Sequence, residues 1–345
     1  MVTIRHFYFG LTQQTRVLDK SKNNYKIGAM ANKYLWVVFF LFAYLQAAPI
    51  CTNAEDSKQI PPLASPGLRE HSSEQDLSAE DADLPEWVKR TRIGIELGTK
   101  IKPIYFLESL QPLFGTEENE TVLFNHARIA SRDYRTVYNM GLGARRIFKE
   151  AYLLGANMFY DFKDLHQHQR AGIGLEAFTD KGAEARLNTY FRVSSIRLVR
   201  DDPSGQYFEK VANGLDWELG SPLPYLPFLK IYGGGYWYSF EKFRNKLGWS
   251  MRLEYNPIKN SRLIFKVLDD NKRKKESYRF EGALTLKFTS FHPRDILKDF
   301  KGSEEAFPKI NVRNKTLERV VRDFDITVIT HRKTKGGLIV EGGRT

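Results

Sequence analysis

From Arg92 to about residue 289 the sequence repeats one device: apolar residues at every second position, in short segments parted by charged or Gly/Pro/Asp/Asn turns. Side chains of a β-strand alternate between its two faces, so each such segment has one greasy face and one polar face. Ile93, Ile95 and Leu97 alternate with Gly94, Glu96 and Gly98; Tyr138, Met140, Leu142 and Ala144 alternate with Asn139, Gly141, Gly143 and Arg145. The pattern returns in Ala171, Ile173, Leu175 and Ala177 against Arg170, Gly172, Gly174 and Glu176, and in Leu215, Trp217 and Leu219 against Asp216 and Glu218. Further on, Leu247, Trp249, Met251, Leu253 and Tyr255 alternate with Lys246, Gly248, Ser250, Arg252 and Glu254.

A soluble β-sandwich also alternates, and the chemistry of the two faces separates the cases. The apolar sets hold no Asp, Glu, Lys or Arg, whereas the opposite sets collect charge and glycine. A charge facing lipid at mid-membrane costs about 2–4 kcal/mol, so the first set suits lipid and the second a crowded wet lumen. No stretch reaches the roughly 18–20 apolar residues that a membrane-spanning helix needs. The expected fold is all-β, a twelve-stranded antiparallel transmembrane β-barrel of the outer membrane.

The twelve segments are 92–100, 104–113, 121–130, 135–147, 151–162, 169–179, 184–194, 213–221, 227–239, 246–256, 261–268 and 278–289. An even number closes with antiparallel neighbours and leaves no edge. Pro103 and Pro112 interrupt the second segment, and the third allows either parity. Aromatics near segment ends, such as Tyr236-Trp237-Tyr238, Tyr255 and Phe288, suit interfacial girdles. The last segment places Phe280, Leu284, Leu286 and Phe288 on one face with small Gly282 in the gap, and so resembles the strand that the outer-membrane assembly machinery recognises. Because 57 residues follow Phe288, the chain continues beyond the closing strand.

Ahead of the alternation, the longest apolar run, residues 35–45, follows Lys33 and leads into Pro49 and the small or polar Thr52 and Ala54. That is the build of a secretory signal cleaved after Ala54, with Met30 as the expected true start. The only cysteine, Cys51, would leave with it, so the mature chain is expected to hold neither a disulfide nor a cysteine metal site. Residues 1–54 thus read as leader and signal, 55–90 as a linker and 91–290 as barrel; for 291–345, a luminal linker and short exported tail are what the family resemblance given below implies. The net charge is +12, but residues 55–90 carry nine acids against four bases, among prolines and serines, and read as a solvated, disordered periplasmic segment. Nucleic-acid binding is not expected, because no basic helix, zinc knuckle or aromatic RNA-binding signature accompanies the basic surplus.

Four stretches resemble, in order and in wording, the translocator β-domain of the inverse autotransporters, the intimin and invasin family of outer-membrane adhesins. They are Leu110-Gln111-Pro112-Leu113-Phe114, Asn139-Met140-Gly141-Leu142-Gly143-Ala144-Arg145, Gly155-Ala156-Asn157-Met158-Phe159-Tyr160-Asp161 and His168-Gln169-Arg170-Ala171-Gly172-Ile173-Gly174-Leu175-Glu176-Ala177-Phe178. The resemblance covers roughly residues 91–330. It implies a barrel with its amino end in the periplasm and a linker threaded through the lumen to the cell surface, with the stretch from Leu317 to Val328 resembling the sequence that leaves the barrel. It also implies lipid, periplasmic chaperones and the barrel-assembly machinery as partners, and no cofactor. Arg145, Asn157, Arg170, Glu176 and Glu254 are the expected lumen residues against the linker, and Arg319 and Arg322 the expected linker residues, with linker bases neutralising lumen acids such as Glu176 and Glu254. No passenger domain is visible after the linker, so a host receptor is not expected. The alternatives are a stand-alone outer-membrane channel or porin-like barrel, and a decayed adhesin whose passenger was lost or is encoded separately.

Three sharper readings yield to plainer ones. His166 and His168 form an HxH pair, but no further convergent ligand is evident in the sequence, and a structural role is expected. Ser194, Ser195 and Ser239 lie near segment ends without a nucleophile elbow, and His126 and His292 cannot be paired with them, so no enzyme is expected. Gly141-Leu142-Gly143, Gly172-Ile173-Gly174 and Gly233-Gly234-Gly235 sit inside alternating sequence, where glycine gives room to a neighbouring side chain or to a threaded segment.

Overall fold

The structure, a computed structural model, describes residues 85–342 apart from 100, 204, 242, 257–260, 273–278, 288–301 and 335–338. A short helix, Glu86–Lys89, precedes the strands β1 (Thr91–Gly98), β2 (Ile101–Phe114), β3 (Thr121–Arg132), β4 (Arg135–Phe148), β5 (Tyr152–Lys163), β6 (His168–Thr179) and β7 (Glu184–Arg192). There follow β8 (Arg197–Asp202), β9 (Gly205–Val211), β10 (Asn213–Leu223), β11 (Leu226–Ser239), β12 (Lys246–Tyr255), β13 (Ser261–Asp270), β14 (Arg279–Lys287), β15 (Val328–Lys333) and β16 (Ile339–Gly342). Among the described residues no helix is long and apolar enough to cross a membrane.

Twelve strands, β1 to β7 and β10 to β14, join edge to edge into a closed barrel. The seam lies between β1 and β14, where Ile93 pairs with Leu286 and Gly98 with Glu281, antiparallel like every other junction. The remaining four strands make a separate sheet in the order β16-β15-β9-β8. The hairpin of β8 and β9 is inserted between β7 and β10, and the sheet was not among the expected segments.

The barrel is inside out relative to a soluble protein. On β6, Ile173 and Leu175 are 54% and 55% exposed, while Arg170 and Glu176 on the opposite face are 0% and 5% exposed. Leu142, Met158, Leu187, Trp217, Leu247 and Trp249 continue the exposed apolar belt. Water would not tolerate so continuous a greasy surface, whereas hydrocarbon does. The parity left open in the third segment is settled on β3, where Val122, Phe124, His126 and Arg128 all become buried. β2 runs through both prolines, with a register shift between Pro112 and Phe114, the kind of irregularity at which a residue without an N–H is tolerated.

Two expectations are corrected here. Of the supposed girdle Tyr236-Trp237-Tyr238, only Trp237 shares the outward parity, being in register with Leu215 and Leu247. Tyr238 is buried inside and its hydroxyl bonds Asp323. The disordered segment expected to run to residue 90 ends earlier, because Glu86–Lys89 is helical and Trp87 accepts hydrogen bonds at its carbonyl from Thr91 and Gln111, at 2.8 and 2.9 Å. The expected signal and the acidic stretch up to residue 84 lie outside the described residues, as does Phe288. For Phe280, Gly282, Leu284 and Leu286 only the backbone pairing of β14 is described.

Candidate functional site: a threaded lumen

Residues 302–327 form no strand and only one short 3-10 turn, Val312–Lys315. An irregular segment leaves backbone N–H and C=O groups in need of partners, and inside a closed barrel the wall must supply them. The path is fixed at both ends. At the mouth where β1 begins, Tyr225 donates its N–H to the Ala306 carbonyl at 2.9 Å and Ile310 donates to that of Asp180 at 2.7 Å. At the opposite mouth, Ala212 donates to the Thr327 carbonyl at 3.0 Å, and β15 pairs with β9, His331 opposite Phe208. The linker therefore crosses the lumen from the first mouth to the second.

Between these ends two buried arginines of the wall grip linker carbonyls. Arg145 Nη1 donates to the carbonyls of Lys315, Thr316 and Glu318 at 3.1, 2.9 and 2.6 Å, while its Nε holds Glu176 at 2.7 Å. Arg170 donates from Nη1 to the Asp325 carbonyl at 2.9 Å and from Nη2 to that of Asp323 at 2.6 Å, while its Nε holds Asp161 at 2.8 Å. Asn139 and Asn188 reach the carbonyls of Phe324 and Val321 at 3.0 and 3.2 Å, and the Asp323 N–H donates to the Tyr190 hydroxyl at 2.8 Å. A guanidinium carries five donors in a rigid plane, which is why one side chain serves several acceptors at once.

Charge is matched pair by pair. Asp161 sits between Arg170 and the linker's Arg322, each at 2.8 Å. Lys315 meets Glu318 at 2.5 Å and Glu184 at 3.2 Å, and Glu318 also meets Arg262 at 2.7 Å. Near the far mouth, Asp325 is held by Lys163 and Arg132 at 2.8 and 2.7 Å. Apolar linker residues fill the gaps: Val312 packs with Ile147, Leu153 and Phe178, and Leu317 and Val320 pack with Val122, Phe124 and Phe159. The Arg322 guanidinium also lies 4.3 Å from the centre of the Phe159 ring. A cavity of about 300 Å³, lined in part by Arg128, Arg252, Lys266, Asp216 and Glu218, remains beside the linker.

One glycine shows how closely the linker fits. A Cβ on Gly172 would lie 2.7 Å from Arg322 Nη2 and 3.2 Å from the Thr189 carbonyl oxygen, so a side chain there would compete with the linker for space.

Of the residues singled out in the sequence, Arg145 and Arg170 touch the linker directly, and Arg322 touches the wall through Asp161. Arg319 reaches Glu108 at 3.5 Å. The expected pairing of linker bases with Glu176 and Glu254 is corrected: those two acids bind wall arginines, Glu176 with Arg145 and Glu254 with Arg252 and Arg262. The linker bases go instead to Asp161, Glu108 and Glu184, because these acids stand where the linker passes. Asn157 is buried in the wall beside Gly174, and no hydrogen bond to the linker is found for it among the described residues. His126, 3.7 Å from Glu108, stands edge-on to the rings of Phe159 and Phe324. Asp161, Glu108, Glu184 and Tyr190 were missed; Asp161 has the same parity as Asn157, which placed it inside, but parity says nothing about which wall residue the linker meets.

The family described as "Inverse autotransporter, beta-domain" matches residues 53–293. The chain belongs to this family. It is thus an outer-membrane β-barrel protein related to the intimin and invasin adhesins. Similar relatives include the invasin of Yersinia enterocolitica, 29% identical over 44% of this chain and 18% of that protein. Another is a putative attaching and effacing protein homolog of Escherichia coli, 30% identical over 43% of this chain and 50% of that protein. The chain therefore aligns with half or less of either relative's length. A solved structure from work on the in-meso crystallization of membrane proteins has the same fold, with a TM-score of 0.56 and 20% identity over 69% of this chain and 98% of the other.

Proposed function

We propose that this inverse autotransporter β-domain spans the outer membrane with the start of β1 facing the periplasm, and that its lumen guides its own C-terminal segment to the cell surface. The observation that carries this reading is the gripping of linker carbonyls by Arg145 and Arg170 along a path running mouth to mouth. The lumen works by holding: its guanidinium, carboxylate, amide and phenol groups are engaged with an extended peptide, and no bond-making step is invoked. Periplasmic chaperones and the barrel-assembly machinery deliver and insert the barrel, lipid covers its apolar belt, and any passenger beyond the linker is drawn out by folding outside.

An epitope tag after Thr345, probed by antibody on intact and permeabilised cells, tests the reading. Staining of intact cells with the barrel in the outer-membrane fraction is expected. Staining only after permeabilisation would remove the translocator function and leave the barrel as a channel or a permanently plugged wall protein.

A further inference from the structure

The expectation that His166 and His168 lack further convergent ligands is overturned by the β8–β9 hairpin. It brings Glu209 to both rings: Glu209 Oε2 lies 2.8 Å from His166 Nδ1 and 2.8 Å from His168 Nε2. The three donor atoms all lie within 4.8 Å of one another. The two imidazole rings stand nearly perpendicular, 85° between their planes with centroids 6.0 Å apart, and so do not stack on one another. His168 is buried and Glu209 nearly so, while His166 is 30% exposed and leaves one side of the cluster open to water.

The turn that carries His166 is built rather than loose. Asp164 accepts hydrogen bonds at its carboxylate from the N–H groups of Leu165 and Thr136, at 2.6 and 2.9 Å, and His166 adopts φ +61°, a left-handed conformation uncommon for a residue with a side chain. Such local strain is kept where surrounding contacts enforce it. Glu209 lies on β9, between Arg197 of β8 and Thr330 of β15. The cluster thus bridges the barrel rim and the sheet that receives the linker on exit.

We propose that His166 Nδ1, His168 Nε2 and the Glu209 carboxylate form a site for a zinc-class divalent cation, with water as fourth ligand, which pins the exit sheet to the rim. The two imidazole nitrogens are borderline donors, and together with one carboxylate oxygen they favour zinc over calcium or magnesium, which take all-oxygen sites. In the metal-free state the same imidazole nitrogens face Glu209, and each presents a lone pair to the cation in its other tautomer. This inference is independent of export, since it concerns the purified barrel.

The test uses the full chain without a histidine tag, folded in detergent, competing with a chromophoric chelator for zinc. One zinc per chain is expected, with binding at least about tenfold weaker in His166→Ala and Glu209→Gln. Zinc should also slow proteolysis of residues 328–342 in the unsubstituted protein and not in His166→Ala, whose change lies on a half-buried turn outside the barrel strands. If the unsubstituted protein fails to compete, or binds zinc no more tightly than His166→Ala, the cluster is a hydrogen-bonded triad only and the proposal falls.

Discussion

Arg145 Nη1 and the Thr316 carbonyl lie 2.9 Å apart across a gap of 171 residues in sequence. That contact, repeated at Lys315 and Glu318, makes one wall residue the partner of three carbonyls within four residues of the linker. Because the same guanidinium neutralises Glu176, the wall's own cohesion and its hold on the linker share a side chain.

Arg145→Ala should therefore do two separable things. It strands buried Glu176, which costs about 3–5 kcal/mol of barrel stability, and it frees linker carbonyls. Adding Glu176→Gln should restore much of the stability in urea unfolding but not the plug, so current through a planar bilayer stays raised in the double variant.

Asp161 holds Arg170 and Arg322 together. Asp161→Asn should loosen the linker near Asp323 and Asp325 and raise protease cleavage between residues 317 and 327, while Glu254→Gln, which removes an acid one step away from the linker, should do so much less.

Gly172→Leu places a side chain where Arg322 Nη2 now lies. The expected result is a folded barrel with its linker displaced, read as open-channel current and reduced surface display of a C-terminal tag.

Leu175→Lys puts a charge on the exposed apolar belt and should cost about 2–4 kcal/mol if that position lies near the membrane midplane. Unfolding from lipid bilayers measures it; a change below 1 kcal/mol, order of magnitude, would place Leu175 near the interface instead.

The β16-β15-β9-β8 sheet carries a pH dependence of its own. Burial raises the Glu209 carboxyl, but hydrogen bonds from His166 and His168 outweigh it and hold the group at about 2, below its ordinary 4.5. A depressed folded value means the contact contributes fully above pH 4.5 and is lost as pH falls from 4.5 towards 2. In metal-free buffer, proteolysis of residues 328–342 should accelerate across that window, and Glu209→Gln should flatten the dependence.

Most of the wall was legible because a period of 2 is written into most of its strands, β2 and β3 being the weak ones, and lipid penalises charge on one face. Ile173 and Leu175 against Arg170 and Glu176 state the inside and the outside without any knowledge of neighbours. Tyr236 and Tyr238 are girdle residues by composition and lumen residues by parity, and parity decides because it fixes which face a side chain leaves. The linker's partners were illegible for a different reason: residues 302–327 have no period, so nothing in the sequence fixes which carbonyl faces Arg145 or which acid meets Arg319. The β8–β9 hairpin does carry a sequence signal, Asp202-Pro203-Ser204-Gly205 between two short runs, a turn sequence flanked by strand-forming residues.

The seam between β1 and β14 joins the first strand of the wall to the last. A chain that stops short of β14 has two raw edges and no enclosed space, so it has nowhere to hold a linker. Completion of the wall thus acts as a length checkpoint: the segment that fills the lumen is encoded after the strand that shuts it, and only a polypeptide long enough to close its own wall has anything left to enclose.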